Sequence, residues 1–411
     1  MTNLPQGWEV KKLGDIAEIQ IGKTPSRNNI DFFQGENIWL SIRDLKSKFV
    51  SSSSEKISNE AISKTNMKVV PKGTLLMSFK LTLGKTAFAE CDLYTNEAIA
   101  AIFIKNKNIN KYFLDYVLKF TDLEKYVDNA VKGKTLNKQK LKQIEMLLPK
   151  NIKEQERIVG ILDESFAKID ESIKILEQDL LNLDELMQSA LQKAFNPLKD
   201  NAKENYKLPQ GWEWKSLGEI ASVIQSGFAI NKSNEIADGY IHLRTHNIAT
   251  DGNLNFETLV KVKKELIKEQ QSFIEEGDIL FNNTNSTELV GKTALVTQNY
   301  NYAFSNHITK IKLFNQYSPK LVVFYFVLLL KNKYFERICH KWIGQSGINT
   351  DKLKQIQIPL PKDIKEQEQI AKHLDFVFEK TKALKELYTK ELKDYEELKQ
   401  SLLNKAFKGE L

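Results

Sequence analysis

The strongest constraint on how this chain folds is that its second half repeats the framework of its first half. Four segments recur in the same order, at 4–9 and 208–213 (Leu-Pro-Gln-Gly-Trp-Glu), 84–87 and 291–294 (Gly-Lys-Thr-Ala), 152–156 and 364–368 (Ile-Lys-Glu-Gln-Glu), and 193–195 and 405–407 (Lys-Ala-Phe). The offset grows from 204 to 212 residues, so the second copy carries eight net insertions. Between these segments the copies differ greatly. The pattern predicts one scaffold, built twice, that carries two different surfaces.

Each copy begins with a segment that mixes strand and helix signals, at about 1–148 and 207–360. Short β-type runs such as Ile38–Ile42 and Ala98–Ile104 alternate with clusters of Gly, Asn and Ser, which are typical of turns and loops. One helix is predicted in each segment, over Lys111–Tyr126 and over Pro319–Arg337. The segments therefore predict two similar domains of the α+β class.

A long helix is predicted after each mixed segment. The first covers 149–196 and the second lies in 361–411, before a short C-terminal tail, with 197–206 as a linker. Asn151 and Asp363 stand where an N-cap is expected, and a glutamate follows each of them three residues later, as in a variant of the capping box. About 44 residues of α-helix span roughly 66 Å, which is longer than a domain of about 150 residues.

Apolar residues recur along both helices at alternating spacings of three and four, the 3.5-residue period of a coiled-coil seam. The predicted seam consists of Ile169, Ile173, Leu176, Leu180, Leu183 and Met187 on the first helix, and of Leu374, Val377, Leu384, Tyr388, Tyr395, Leu398 and Leu402 on the second. Thr381 and Glu391 interrupt the second series. A single amphipathic helix lying on its own domain is the alternative, but so long and narrow a stripe favours a pair of helices, and the repeat supplies the partner.

Composition excludes several classes of protein. A formal charge of +7 permits an anionic partner without demonstrating one. Two cysteines cannot form a disulfide framework, and His242 and His246 lack the glutamate of an HExxH zinc site. The longest strongly apolar run, Leu321–Leu330, has ten residues and is too short to span a bilayer, and no secretion signal is recognisable at the N-terminus. We expect a soluble cytoplasmic protein that does not bind membranes.

The sequence contains no recognisable active site. The Gly-Lys-Thr steps at 84–86 and 291–293 invite comparison with a P-loop, but the glycine required five positions earlier is replaced by Phe79 and Ser286. No GxGxxG follows a strand, no Asn-Pro-Pro-aromatic tetrapeptide of an adenine methyltransferase occurs, and no GxSxG elbow is formed. We therefore expect no catalytic, cofactor-binding or metal-ligating residue on this chain, which is predicted not to be an enzyme.

Basic and amide-bearing loops indicate nucleic acid instead. Five lysines and no acid lie between residues 129 and 144, a density that displaces counterions from phosphate. The loops between the repeated segments carry Arg, Asn, Ser and Thr, side chains that can pair with base edges in the major groove. Taken singly, these signals also fit a solvated basic loop and ordinary turn residues. Their divergence between the copies, however, is expected where two copies read different sequences.

These features together resemble the specificity subunit of a type I restriction–modification system, over essentially all of the chain. The resemblance rests on the Leu-Pro-Gln-Gly-Trp-Glu opening of each half, and on Leu147–Pro149 and Pro359–Pro361 leading into Ile-Lys-Glu-Gln-Glu. It rests also on the long helix that ends twice in Lys-Ala-Phe, and on Lys-Ala-Phe-Lys-Gly-Glu-Leu at the C-terminus. The pieces are weak singly and specific in combination.

The resemblance implies two target-recognition domains separated by two long helices in an antiparallel coiled coil, with an internal pseudo-twofold repeat. Each domain would read one half of an asymmetric, bipartite double-stranded DNA site. Two methylation subunits would bind the chain and bring S-adenosylmethionine, and motor–nuclease restriction subunits would join them. The specificity subunit itself would carry no catalytic residue and no cofactor.

No fixed motif of the family names a base contact, so the DNA-binding residues are predicted from loop placement and chemistry. They are Arg27, Arg43, Lys80, Lys85, Lys134, Thr135 and Lys138 in the first half, and Arg244, His246, Asn283, Asn285, Lys292, Gln345 and Ser346 in the second. A non-catalytic scaffold with two heads on a coiled coil is the alternative function. That alternative does not explain why the framework repeats while the loops diverge.

Overall fold

In the computed structural model, the first strand of each mixed segment lies beside the last strand of the same segment. Strand β1 (Trp8–Lys12) lies antiparallel to β10 (Glu145–Pro149), and β11 (Trp212–Ser216) lies antiparallel to β22 (Gln357–Pro361). The structure describes residues 4–127, 136–196, 208–267 and 273–411. The chain forms two compact units, one of residues 1–175 and 391–411 and the other of residues 176–390.

The first unit contains ten strands and four helices of its own, within the described residues. After β1 they are α1 (Leu13–Ile16), β2 (Ala17–Ile21), β3 (Asn37–Leu40), β4 (Phe49–Val50), β5 (Glu55–Ile57), α2 (Asn59–Thr65), β6 (Leu75–Ser78), β7 (Thr86–Ala89), β8 (Tyr94–Thr95), β9 (Ile99–Ile104), α3 (Lys111–Phe120), α4 (Lys138–Gln143) and β10. The long helix α5 (Ile152–Phe195) begins in this unit and ends in the second.

The second unit has a similar, but not identical, series of elements. After β11 they are α6 (Leu217–Ile220), β12 (Ala221–Ser226), β13 (Glu235–Leu243), β14 (Lys261–Val262), β15 (Ile279–Asn282), β16 (Thr284–Asn285), β17 (Thr293–Leu295), β18 (Ala303–Phe304), β19 (Ile308–Leu313), α7 (Pro319–Lys331), α8 (Tyr334–Ile338), β20 (His340–Trp342), β21 (Gln345–Gly347), α9 (Thr350–Lys354) and β22. The long helix α10 (Ile364–Lys408) begins here and ends in the first unit.

The repeated framework is a shared sheet topology. The main sheet has the order β2-β9-β6-β7-β4 in the first unit and β12-β19-β15-β17 in the second. A smaller sheet, β5-β3-β8 or β14-β13-β18, holds a parallel pair in both units, β3 with β8 and β13 with β18. A hairpin of β20 and β21, joined to β16, is described in the second unit.

Several elements are shorter than the sequence predicts. The helix predicted over Lys111–Tyr126 ends at Phe120, and a 3-10 turn follows over Leu123–Tyr126. The helix predicted over Pro319–Arg337 is divided into α7 and α8, because Lys333 adopts a left-handed conformation (φ +56°) that interrupts α-helical geometry.

Side chains cap both long helices, but neither capping box is complete. Asn151 Oδ1 accepts a hydrogen bond from Lys153 N, and Asp363 Oδ1 accepts one from Lys365 N, both at 3.0 Å. The glutamates predicted to complete the box bind elsewhere. Glu154 pairs with Arg157, and Glu366 accepts a hydrogen bond from the Trp212 indole.

A buried glutamine in each copy of Ile-Lys-Glu-Gln-Glu ties the helix to the domain beside it. Gln155 Oε1 accepts a hydrogen bond from Asn110 N, and its Nε2 donates to Asn108 O and Pro149 O. Gln367 makes the matching set, accepting from Ser318 N and donating to Gln316 O and Pro361 O. Both side chains are completely buried. The repeated motif therefore has a structural role, which is to join three chain segments at the start of the helix.

Within each unit, α5 packs against α10. In the first unit, Arg157 Nη2 donates to the Leu411 carbonyl and Asp170 pairs with Lys399, so α10 runs backwards as α5 runs forwards. In the second unit, Asp184 pairs with Lys385 at 2.5 Å. Phe407 at the end of α10 and Phe195 at the end of α5 are both buried, each in the core of the unit in which its helix ends.

The predicted seam of α10 is wrong at two of its seven positions. Leu384 and Leu398 are 39% and 44% exposed, whereas the next residues, Lys385 and Lys399, face acidic partners on α5. A lysine can occupy such a position because its aliphatic stem packs along the neighbouring helix while its ammonium group reaches a carboxylate.

The other predicted seam residues are buried or half-buried, and they are Ile169, Ile173, Leu176, Leu180, Leu183 and Met187 on α5, and Leu374, Val377, Tyr388, Tyr395 and Leu402 on α10. Among the described residues, no helix combines the length and the apolar character needed to cross a membrane.

Candidate nucleic-acid interface

Two equivalent turns present different side chains at the same place in the fold. After β3, Ser41 begins a 3-10 turn in which its N–H donates to Asp44 Oδ2 at 2.7 Å. After β13, Arg244 begins a 3-10 turn in which its N–H donates to Asn247 Oδ1 at 2.8 Å. The third position of the turn is Arg43 in the first unit and His246 in the second, and both are exposed. The scaffold thus offers an arginine in one unit and a histidine in the other.

In the first unit, two predicted arginines share one carboxylate. Arg27 forms a bidentate pair with Glu55, at 2.5 and 3.0 Å, and Arg43 pairs with the same side chain. Arg27 also lies over the Phe33 ring, 4.3 Å from its centroid. The hydrogen bond from Arg27 holds the pKa of Glu55 below its ordinary value. Two guanidinium groups therefore share one carboxylate, and guanidinium is the group that pairs bidentately with phosphate and with guanine.

In the second unit, Arg244 is mostly covered and His246 is the exposed member of the turn. Arg244 Nη2 lies 3.5 Å from the Ile230 carbonyl and 3.4 Å from Glu235, which hold the guanidinium against its own domain. The Nε2 atom of His246 lies 3.1 Å from the Thr258 carbonyl. His246, rather than Arg244, is therefore the structural counterpart of Arg43.

Three predicted DNA contacts are corrected by their burial. The ammonium of Lys292 donates to the Thr245 carbonyl at 2.8 Å, and burial lowers the pKa of Lys292. Asn283 donates to Asn306 O and to Thr309 Oγ1, and the hydroxyl of Ser346 lies 2.8 Å from that of Thr287. Their polar groups hold neighbouring loops in place, and Lys292 in particular supports the turn that presents His246.

The remaining predicted residues lie on two loops that meet in each unit. The loop after β6 carries Lys80, which is half-buried, and Lys85, which is exposed. Leu136 N donates to Phe79 O at 2.9 Å and joins this loop to the segment before α4, whose first residue, Lys138, is exposed. Lys134 and Thr135 lie outside the described residues.

The second unit makes the equivalent junction. Ile348 N donates to Asn283 O at 2.8 Å, which joins the loop after β15 to the segment before α9. Asn285 on β16 is half-buried and accepts a hydrogen bond from Ser286 N, and Gln345 on β21 is exposed. In both units, therefore, the same two loops bring the predicted polar residues together.

A buried histidine lies under the turn of the second unit. His242 Nε2 lies 3.1 Å from the Phe228 carbonyl, and the two rings pack edge to face. Burial and, to a smaller extent, the positive charge of Arg244 lower the pKa of His242 to about 4 from its ordinary 6.5. The ring is therefore neutral in the folded chain at pH 7.

The stability of the second unit is expected to fall on acidification from pH 6.5 to 4. In this range the unfolded chain binds a proton at His242 that the folded chain does not, so protonation favours unfolding, by about 3 kcal/mol at full extent. Chemical unfolding of the wild type and of His242→Gln across this range measures the difference. The variant should lose less stability on acidification, and parallel pH profiles would contradict the assignment.

The described residues contain no group of three His, Cys, Asp or Glu side chains placed to hold a metal ion. The cysteines Cys91 and Cys339 are both free thiols.

Comparisons with known proteins agree with the repeat. A family model described as the type I restriction modification DNA specificity domain matches residues 5–180 and again residues 209–394. The type I restriction enzyme MjaIX specificity subunit of Methanocaldococcus jannaschii is 29% identical over 234 residues, which cover 54% of this chain and 53%, about half, of that relative. The MjaVIII specificity subunit of the same organism is 25% identical over 429 residues, which cover 99% of this chain and 94% of the relative.

Solved structures share the fold. A chain from work on complex assembly and conformational transition of the type I R-M system superposes with a TM-score of 0.78 at 18% identity, and the match covers all of both chains. The HsdS subunit from Thermoanaerobacter tengcongensis has a TM-score of 0.59, also at 18% identity, over all of this chain and 98% of that one. The predicted architecture of two similar mixed domains with long helices is confirmed by these likenesses.

Proposed function

Because the chain belongs to the family of type I restriction–modification DNA specificity domains, we propose that it is the DNA-recognition subunit of such a system. The observation that carries the proposal is the pair of equivalent turns, in which one backbone geometry presents Arg43 in one unit and His246 in the other. Two units that share a framework but differ in the exposed side chain can recognise different bases. A scaffold protein with two heads has no need of that difference.

The target is a bipartite and asymmetric double-stranded DNA site, and each unit reads one half of it. The subunit performs no chemistry itself. Two methylation subunits supply S-adenosylmethionine and the methyl transfer, and restriction subunits join them for cleavage.

Support for a protein partner comes from apolar side chains on the long helices. In the second unit, Leu181, Leu186, Phe376 and Leu387 are each more than half exposed, and a methylation subunit packed on the long helices would cover them.

The proposal is tested by the DNA sequence that the host methylates. We expect methylome sequencing to show a motif with two different specified blocks separated by unspecified bases, and we expect that motif to disappear when the gene for this chain is deleted. A palindromic motif would contradict the argument that two different surfaces read it. Purification of the chain from its host separates the proposal from the scaffold alternative, because only the former requires an adenine methyltransferase to co-purify.

Arg43→Ala and Lys138→Ala are expected to affect binding in different ways. Arg43 lies on a built turn, so its loss should relax discrimination at one base pair by about 1–3 kcal/mol. Lys138 lies at the start of α4 and offers only a charge, so its loss should weaken binding to all sequences and reduce the salt slope by about one.

Titrations with matched and mismatched duplexes at several salt concentrations distinguish these effects. Lys107→Ala is the matched control, since Lys107 is exposed on the loop that precedes α3. A uniform loss of affinity with Arg43→Ala would show that Arg43 contacts phosphate rather than a base.

A further inference from the structure

An aliphatic side chain stands fully exposed at the tip of the β20–β21 hairpin. The turn consists of Ile343 and Gly344, and the positive φ of Gly344 (+84°) matches the third position of a type II turn. Ile343 is completely exposed, and the adjacent Trp342 is 58% exposed. Turns of this kind need no β-branched apolar residue, and Ile343 makes no contribution to the core of its unit.

The hairpin is held firmly by its own unit, so the exposed tip is not a frayed end. The Trp342 ring packs over Gly347, where a Cβ would lie only 2.8 Å from the ring. Gly347 pairs with Thr284 of β16, and the Ser346 hydroxyl lies 2.8 Å from that of Thr287. The tip is therefore a preorganised projection.

A different loop of the first unit, the one between β6 and β7, presents a second exposed aliphatic side chain. Leu81, in the loop between β6 and β7, is 74% exposed and has a left-handed backbone (φ +62°). A leucine in this conformation is strained, and such strain persists where the surroundings impose it and where function uses it. The loop is fixed by Ser78, whose buried hydroxyl donates to Thr82 O and accepts from Lys85 N.

Both tips lie in basic segments of the chain. Lys80 and Lys85 flank Leu81, and the segment 75–89 contains no acidic residue. The segment 331–347 that leads to and forms the hairpin has four Lys or Arg residues and one acid, Glu336. Basic surroundings favour a polyanion over an apolar protein surface as the partner of these tips.

We propose that Ile343 and Leu81 are wedges, one in each unit, that insert between stacked base pairs of the DNA half-site that their unit reads. Apolar side chains that enter between base steps unstack and kink the duplex, and basic neighbours hold the adjacent phosphates. Because the energy of unstacking depends on the base step, the wedges add to specificity without hydrogen bonds to bases. This inference rests on the proposed function and adds to it a site of DNA deformation.

The experiment uses the full chain with its methylation subunits and target duplexes that carry 2-aminopurine at successive positions of each half-site. Binding of the wild type should raise the fluorescence at one step in each half-site. Ile343→Ser should abolish the increase in one half-site and Leu81→Gly the increase in the other. Each variant should bind the target duplex roughly tenfold more weakly, since binding no longer removes an aliphatic side chain from water.

Matched controls exclude misfolding and a general loss of apolar surface. Phe314→Ser in the second unit and Val69→Ser in the first remove other exposed apolar side chains (45% and 43% exposed) and should leave both signals unchanged. Leu81→Gly should unfold no more easily than the wild type, because glycine adopts a positive φ without strain.

Two negative outcomes are distinguishable. If the wild type binds its target specifically but no position gains fluorescence, or if Ile343→Ser binds as the wild type does, the wedge is overturned and the recognition function stands. If Ile343→Ser instead loses its methylation subunit while DNA binding persists, the tip is a protein contact and the inference is wrong. If the wild type shows no sequence-specific binding, the proposed function fails, and the inference fails with it.

Discussion

Replacement of Phe407 by alanine is expected to lower the free energy of unfolding by about 3–5 kcal/mol, although Phe407 lies only four residues from the C-terminus. Its ring is buried in the first unit, stacked on Phe120 at 4.7 Å between centroids and edge to face with Phe113 at 5.8 Å. Loss of the ring removes apolar burial and leaves a cavity. Phe195→Ala should have a similar effect, since Phe195 is the counterpart in the first Lys-Ala-Phe and packs on Tyr325 at 4.9 Å.

Chemical unfolding of the full chain measures both effects. Phe376→Ala is the matched control, because Phe376 lies on the same helix as Phe407 but is 58% exposed, and its loss should change the free energy by less than about 0.5 kcal/mol. If Phe407→Ala costs no more than the control, the end of α10 does not stabilise the first unit as its burial indicates.

Gln155→Glu is expected to destabilise the chain by about 3 kcal/mol or more at pH 7. The Gln155 amide donates to two backbone carbonyls, Asn108 O at 3.0 Å and Pro149 O at 2.8 Å. A carboxylate has no hydrogen to donate, so two buried acceptors would face a buried negative charge. The same substitution at Gln367 should have the same effect, because its amide faces Gln316 O and Pro361 O.

Unfolding in urea at pH 7 and at pH 5 tests this prediction. Glu156→Gln, next in sequence but exposed, serves as the control and should be almost neutral. Part of the stability lost in Gln155→Glu should return at pH 5, because a protonated carboxyl can donate one hydrogen bond. A variant as stable as the control at both pH values would show that the hydrogen bonds of Gln155 are dispensable.

The buried glutamines and phenylalanines show why the two motifs are repeated. The sequence identifies Ile-Lys-Glu-Gln-Glu and Lys-Ala-Phe as signatures of the family without indicating what they do. In the structure, Gln155 and Gln367 close the start of each helix, and Phe195 and Phe407 anchor its end. The framework recurs because both copies need the same buried contacts at the same places.

The sequence could predict only in part which of the proposed DNA-binding side chains lie at the surface. Lys85 and Lys292 are equivalent in the repeated Gly-Lys-Thr-Ala, yet Lys85 is exposed and Lys292 is buried with its ammonium on the Thr245 carbonyl. Similarly, Glu55 gathers Arg27 and Arg43 from 28 and 12 residues away. Nothing in the local sequence specifies which carbonyl or carboxylate a long basic side chain will meet.

The sequence by itself determined the repeat, the mixed class of the two domains and the long helices, because these follow from segments that recur in a constant order and from the local periodicity of apolar residues. The tertiary structure decided which polar groups remain available for DNA and which face of α10 is covered. The periodicity predicts Leu384 in the seam, but Leu384 is 39% exposed. Lys385 faces α5 instead, because it pairs with Asp184 on that helix. The periodicity of a sequence shows only where apolar residues stand, whereas burial depends on the neighbours that folding supplies. For a long charged side chain such as lysine, a partner of opposite charge decides whether it is buried.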